Sequence, residues 1–111
     1  MRLKRGVKQE GVQAPIWYAI GIAEMIYASL GVQLVVTSLC DGKHGANSLH
    51  YNGLAVDIRT RNLSQAQIEI VLRGLSHALD GQIGFDVILE KDHIHIEYEP
   101  KKGEGWQVAV A

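Results

Sequence analysis

A chain of 111 residues suits a single domain with one core and leaves little room for a second. Its 11 basic and 12 acidic residues give a net charge of -1 and a pI of about 6.5, so no long-range field favours nucleic acid or acidic membranes. The one cysteine, Cys40, excludes an internal disulfide, and no apolar run reaches the roughly 18 residues of a membrane span.

Residues 1–13 carry Gly6 and Gly11 and show no period, which predicts an irregular N-terminal segment ahead of a single domain over 14–111. The basic start, Met1–Lys8, lacks the apolar run and small-residue cleavage site of a signal peptide. Pro15 suits the first turn of a helix, where its missing N–H costs nothing. From there Ile16, Ile20, Ala23, Ile26, Tyr27 and Leu30 recur at three- and four-residue steps, and Gly31 stops the run. Gly21, inside that helix, suggests close packing against a sheet.

Val32–Leu39 is short and β-branched and predicts a strand; Cys40–Asn47, rich in Gly, Asp and Asn, predicts a loop. Gly53–Thr60 predicts a second strand after the Tyr51-Asn52-Gly53 turn. Alternation puts Leu54, Val56 and Ile58 on a core face and Ala55, Asp57 and Arg59 on a polar one. Ser64 caps a helix over Gln65–Leu79 with an apolar stripe of Ala66, Ile68, Val71, Leu72, Leu75 and Leu79; Asp80-Gly81 ends it. Phe85–Glu90 and His93–Glu99 predict two strands joined around Lys91-Asp92, with Pro100 closing the second. In the last strand His93, His95 and Glu97 share one face, and Ile94, Ile96 and Tyr98 the other. Trp106–Val110 is a candidate short edge strand. The element order implies an α+β fold, a small, mainly antiparallel sheet with helices on one face and a polar site on the other.

That polar face carries the chemistry. A catalytic zinc site takes three protein ligands, commonly imidazole and carboxylate, and keeps a fourth position for water. His50 and Asp57 flank a turn, and His95 lies on a strand that can run beside them. Together they can hold one zinc ion per chain. A zinc-bound water, its pKa falling toward about 7, needs a base, and Asp92 at the mouth of the last strand is the first choice. Glu90 stands in the same relation to His93 and is the alternative. The bland readings are an exposed polar sheet face for His93 and His95, a turn residue for Asp92, and a small, partly buried side chain for Cys40.

The run Ser48-x-His50-x-x-x-x-x-x-Asp57 (SLHYNGLAVD), followed by Asp92-x-x-His95 in DHIHIEY, resembles the M15-type zinc peptidases. These include D-Ala-D-Ala carboxypeptidases and the L-alanyl-D-glutamate endopeptidases of phage endolysins; the zinc-binding signalling domain of hedgehog shares their fold. The resemblance covers about Thr37–Pro100. It implies His50, Asp57 and His95 as zinc ligands, Asp92 as general base, and Ser48 in substrate binding. It also makes Gly53 and Ala55 the small positions that let the strand pass close to the site. The family's loop arginine is absent from Ser38-Leu39-Cys40-Asp41, leaving Lys43 or His44 to substitute. His93 falls beside the metal, placed to stabilise an oxyanion.

The expectation is therefore a zinc metallopeptidase that hydrolyses peptidoglycan stem peptides. It would be a phage or prophage protein made in the cytoplasm and acting at the bacterial cell wall or periplasm. The alternative is a non-catalytic, zinc-containing binding or assembly module of the same fold. A small His-x-His oxygenase fits poorly, given the short His50–Asp57 spacing and the lack of a barrel pattern.

Overall fold

The computed structural model describes residues 1–40, 52–79 and 84–99. In chain order the elements are β1 (Arg2–Leu3), α1 (Ala14–Ser29), β2 (Val35–Ser38), β3 (Ala55–Arg59), α2 (Gln65–Leu79), β4 (Phe85–Leu89) and β5 (His93–Tyr98). The strands form one sheet in the order β1-β2-β3-β5-β4, parallel between β1 and β2 and antiparallel elsewhere. This is the expected α+β architecture.

Helix α1 begins at Ala14-Pro15 and buries Ile16, Ala19, Ile20, Ala23 and Tyr27. Its C-terminus is a Schellman motif. Gly31 takes a left-handed φ of 69°, its N–H donates to the Ala28 carbonyl (3.0 Å), and that of Val32 donates to Tyr27 (3.1 Å). Helix α2 opens with a capping box: Gln67 N donates to Ser64 Oγ (3.1 Å) and Ser64 N donates to Gln67 Oε1 (2.9 Å). It buries Val71, Leu75 and Leu79, while Ala66, expected in the stripe, is exposed. Both helices pack on one face of the sheet and on each other. Their side chains meet Leu34, Val36, Val56, Ile58, Ile94, Ile96 and Tyr98 in one core.

The close-packed helical glycine is not the one read from sequence. Gly21 is exposed and a Cβ there would meet nothing within 4 Å. Gly74 of α2 is the close-packed one, since a Cβ there would lie 2.8 Å from Ile26 Cδ1 of α1. Helical period alone cannot tell which face of α1 meets its partner.

The N-terminal segment differs from the irregular end expected. Arg2 N donates to Leu34 O and Lys4 N to Val36 O, each at 2.8 Å, so β1 extends the sheet beyond β2. Further on, Cys40 N donates to Lys8 O (3.1 Å) and Gln13 N to Gly53 O (2.9 Å). A two-residue strand has no period to read; its partner's free edge decides it. The other strands are one to four residues shorter than their patterns suggested, because pairing stops before alternation does. The stretches 80–83 and 100–111, with the expected stop at Asp80-Gly81, Pro100 and the Trp106–Val110 strand, lie outside the described residues.

Candidate functional site

The face of the sheet opposite the helices is built by register. Strands β3 and β5 pair Ala55 with Glu97, Asp57 with His95 and Arg59 with His93. Directly opposed residues in an antiparallel pair share a face, so two acids, two imidazoles and a guanidinium come together on it. Beneath them Val56, Ile58, Ile94 and Ile96 are fully buried. A slip of one residue in either strand would turn the whole polar set into the core, so the apolar face pins the site.

Carboxylates and imidazoles alternate along this face. Asp92 Oδ1 lies 2.7 Å from His93 Nδ1, and His93 Nε2 lies 3.7 Å from Asp57 Oδ2. Asp57 Oδ1 accepts from His95 Nδ1 at 2.7 Å, and His95 Nε2 lies 3.0 Å from Glu97 Oε1. Asp57, His95 and Glu97 are the least exposed members, while the Asp92 side chain is 76% exposed. Both nitrogens of His95 face carboxylate oxygens, an arrangement that only the doubly protonated ring satisfies. The His95 pKa is accordingly raised, chiefly by the Asp57 hydrogen bond and against the effect of burial. The hydrogen bond from His93 lowers the pKa of Asp92.

The edge of the site depends on a feature the sequence did not reveal. Val36 pairs with Ile58 but Ser38 pairs with Asp57, so two steps along β2 match one along β3. This bulge brings both Thr37 and Ser38 to Asp57; Thr37 Oγ1 donates to the Asp57 carbonyl at 3.3 Å. A cleft of about 240 Å³ opens here, lined by Lys4, Thr37, Ser38, Asp57, Arg59, Arg61, Asp92 and His93. Alternation had put Arg59 on the polar face without a role. Lys4 and Arg61 carried no signal, because β1 pairing and the turn after β3 bring them in.

Of the residues read from sequence, Asp57, His93 and His95 are brought together, and Asp92 joins them through His93. Glu90 is exposed beyond the end of β4, its N–H donating to His93 O. Lys43, His44, Ser48 and His50 lie outside the described residues. Among the described residues no group of three or more His, Cys, Asp or Glu forms a metal cage. The donor set nevertheless suits zinc. Asp57 and His95 hold an oxygen and a nitrogen 2.7 Å apart. Tetrahedral zinc with donor bonds of roughly 2.0–2.2 Å sets neighbouring ligand atoms about 3.3–3.6 Å apart, so on binding the ion this pair would open and His95 Nδ1 would give up its proton. Gly53 has a different task from the one implied: the backbone it admits is that of Gly11, whose carbonyl oxygen a Cβ at position 53 would overlap.

The fold and site define a small α+β domain whose sheet carries an acid–imidazole cluster beside a charged cleft. The family model of the Hedgehog amino-terminal signalling domain matches residues 19–98, and the chain belongs to that family. No curated protein matches the chain.

This match corrects the M15 peptidase expectation. With it go the metallopeptidase activity and peptidoglycan as partner. The endolysin-like or phage assignment and action at the bacterial cell wall go as well. The physical reason is that the Ser-x-His…Asp and Asp-x-x-His spacings encode a strand register that brings His and Asp together. Hydrolases and binding domains of this fold can share that register, so spacing alone does not report turnover.

Proposed function

We propose that this chain is a binding domain of the Hedgehog signalling type, which acts by engaging a protein partner on the sheet face around Asp57, His93, His95 and Glu97. The observation that carries this is the match over residues 19–98, which spans every element that builds that face except β1. The face is polar, partly exposed and borne on regular strands, so its geometry is held by the sheet rather than by mobile loops.

Within the same reading, His50, Asp57 and His95 are the residues that would hold one zinc ion. Asp57 and His95 already stand side by side, and His50 precedes Asp57 on the far side of the Gly53 turn. Zinc there supplies local positive charge and adds to folding stability. The domain's own residues do the rest. Glu97 orients the His95 ring through Nε2, and Asp92 fixes that of His93 through Nδ1.

Two measurements test these statements separately. Elemental analysis of the purified chain should give one zinc per chain, lost in His50→Ala and His95→Ala; retention of full stoichiometry in both variants would rule out this ligand set. Selection of a displayed peptide library on the purified chain should enrich sequences whose binding is abolished by Arg59→Glu together with His93→Ala. Enrichment of no sequence, or of sequences that bind this double variant equally well, counts against the sheet face as the recognition surface.

A further inference from the structure

The cleft beside the acid–imidazole cluster has a cationic side with no task in the fold. Lys4, Arg59 and Arg61 all line it, and each arrives from a different place: the end of β1, the end of β3 and the turn that follows. Lys4 and Arg61 are exposed and Arg59 is partly buried. Lys4, Arg59 and Arg61 outnumber Asp57 and Asp92 by one in the lining, so its lysine, arginine and aspartate charges sum to one positive. The two carboxylates are already engaged. Asp57 meets His95 at 2.7 Å, and Asp92 meets His93 at 2.7 Å. Among the described residues no ion pair binds Lys4, Arg59 or Arg61 to an acid of this chain.

We infer that this cleft is a receptor for a carboxylate group presented by a peptide, with Arg59 and Arg61 as its principal contacts and Lys4 closing the sheet-edge side. This deepens the proposed function, on which it rests, by naming the chemistry of the partner. Guanidinium groups present paired N–H donors that match a carboxylate in a bidentate fork. At about 240 Å³ the cleft falls below the roughly 300–1,000 Å³ of sites for drug-sized ligands. It suits the tip of one acidic residue or a chain terminus rather than a whole metabolite. Thr37, drawn in by the bulge on the strand between Lys4 and Arg59, lines the cleft as well; its hydroxyl donates to the Asp57 carbonyl at 3.3 Å and can still accept from a peptide N–H.

A carboxylate can come from a side chain or from a chain terminus, and two peptide probes separate these. Acetyl-Gly-Glu-Gly-amide carries only the first and acetyl-Gly-Gly-Gly only the second; acetyl-Gly-Gln-Gly-amide is the uncharged control. Titration of the whole ¹⁵N-labelled chain should give saturable shifts of the Lys4, Thr37, Arg59 and Arg61 amides with at least one charged probe and none with the control. Whichever charged probe binds identifies the source. Arg59→Gln with Arg61→Gln should weaken that binding about tenfold or more, the loss expected on removing charge-assisted hydrogen bonds.

No saturable shift with either charged probe overturns the inference, as does equal affinity in the double variant. Zinc content of the unsubstituted chain and of the double variant, measured on the same samples, keeps the two readings apart. If the unsubstituted chain holds one zinc but binds neither charged probe, the carboxylate receptor fails and the zinc ligand set stands. Unchanged amide dispersion confirms that the double variant is folded.

Discussion

Gly53 offers the sharpest test of how the motif turn is held. Its φ of 73° lies in the left-handed region, and a Cβ there would overlap the Gly11 carbonyl oxygen and sit 2.8 Å from the Gly11 carbonyl carbon. Alanine at this position therefore meets two costs. Left-handed backbone costs a non-glycine residue about 1–2 kcal/mol. Intrusion on backbone that cannot rotate away costs about 1–3 kcal/mol more, as in overpacked cores. The sum, about 2–5 kcal/mol, is a large part of the roughly 5–15 kcal/mol that stabilises a domain. At about 4 °C per kcal/mol for a domain near 100 residues, Gly53→Ala should lower Tm by about 8–20 °C. The shift should also weaken the Gln13 N to Gly53 O hydrogen bond (2.9 Å) and the Gln13 side-chain bond to Asn52 O (2.6 Å), freeing the N-terminal segment for faster hydrogen exchange. Urea unfolding of Gly53→Ala beside Gly53→Asn separates the two costs. Asparagine tolerates the left-handed region but keeps a Cβ, so it should recover only part of the loss. A loss below about 1 kcal/mol for Gly53→Ala would refute the close approach to Gly11, and full recovery with asparagine would assign the whole effect to φ.

Two further expectations concern the helices. Ser64→Ala removes one half of the capping box and should cost about 1 kcal/mol in urea unfolding, with Ser64→Asp largely restoring it. Tyr27 is fully buried, its hydroxyl donates to Arg59 O at 2.9 Å, and burial pushes its pKa from 10.0 up to about 12. Below pH 10 the phenol is protonated in both states and its contribution is fully present. Between pH 10 and about 12 the unfolded chain releases the proton while the folded one keeps it, so stability falls as pH rises. The decline is at most about 1.4 kcal/mol per pH unit, and Tyr27→Phe should remove that slope from alkaline unfolding curves; an identical slope in the variant would show that Tyr27 does not cause it.

Much of the fold was legible because its determinants are local. Pro15 and Gly31 bracket α1, Ser64 and Gln67 open α2, and each acts within four residues of the element it limits. Alternation in β3 and β5 correctly assigned Val56, Ile58, Ile94 and Ile96 to the core and Asp57, His93, His95 and Glu97 to the opposite face. A residue's side of a strand follows from parity alone. What each face meets is not local. The pairing of Asp57 with His95, the bulge that brings Thr37 and Ser38 to the same aspartate, and the docking of Arg2–Leu3 on β2 join segments more than thirty residues apart or offset by a single residue. The same holds for the glycines, where Gly74 rather than Gly21 packs closely because the helix–helix contact selects one face of α1. The sequence by itself thus determined the elements and the chemical character of their faces. Only the tertiary structure decided which charges share a cleft, because Lys4, Arg59 and Arg61 become neighbours through sheet order and register, which no local pattern encodes.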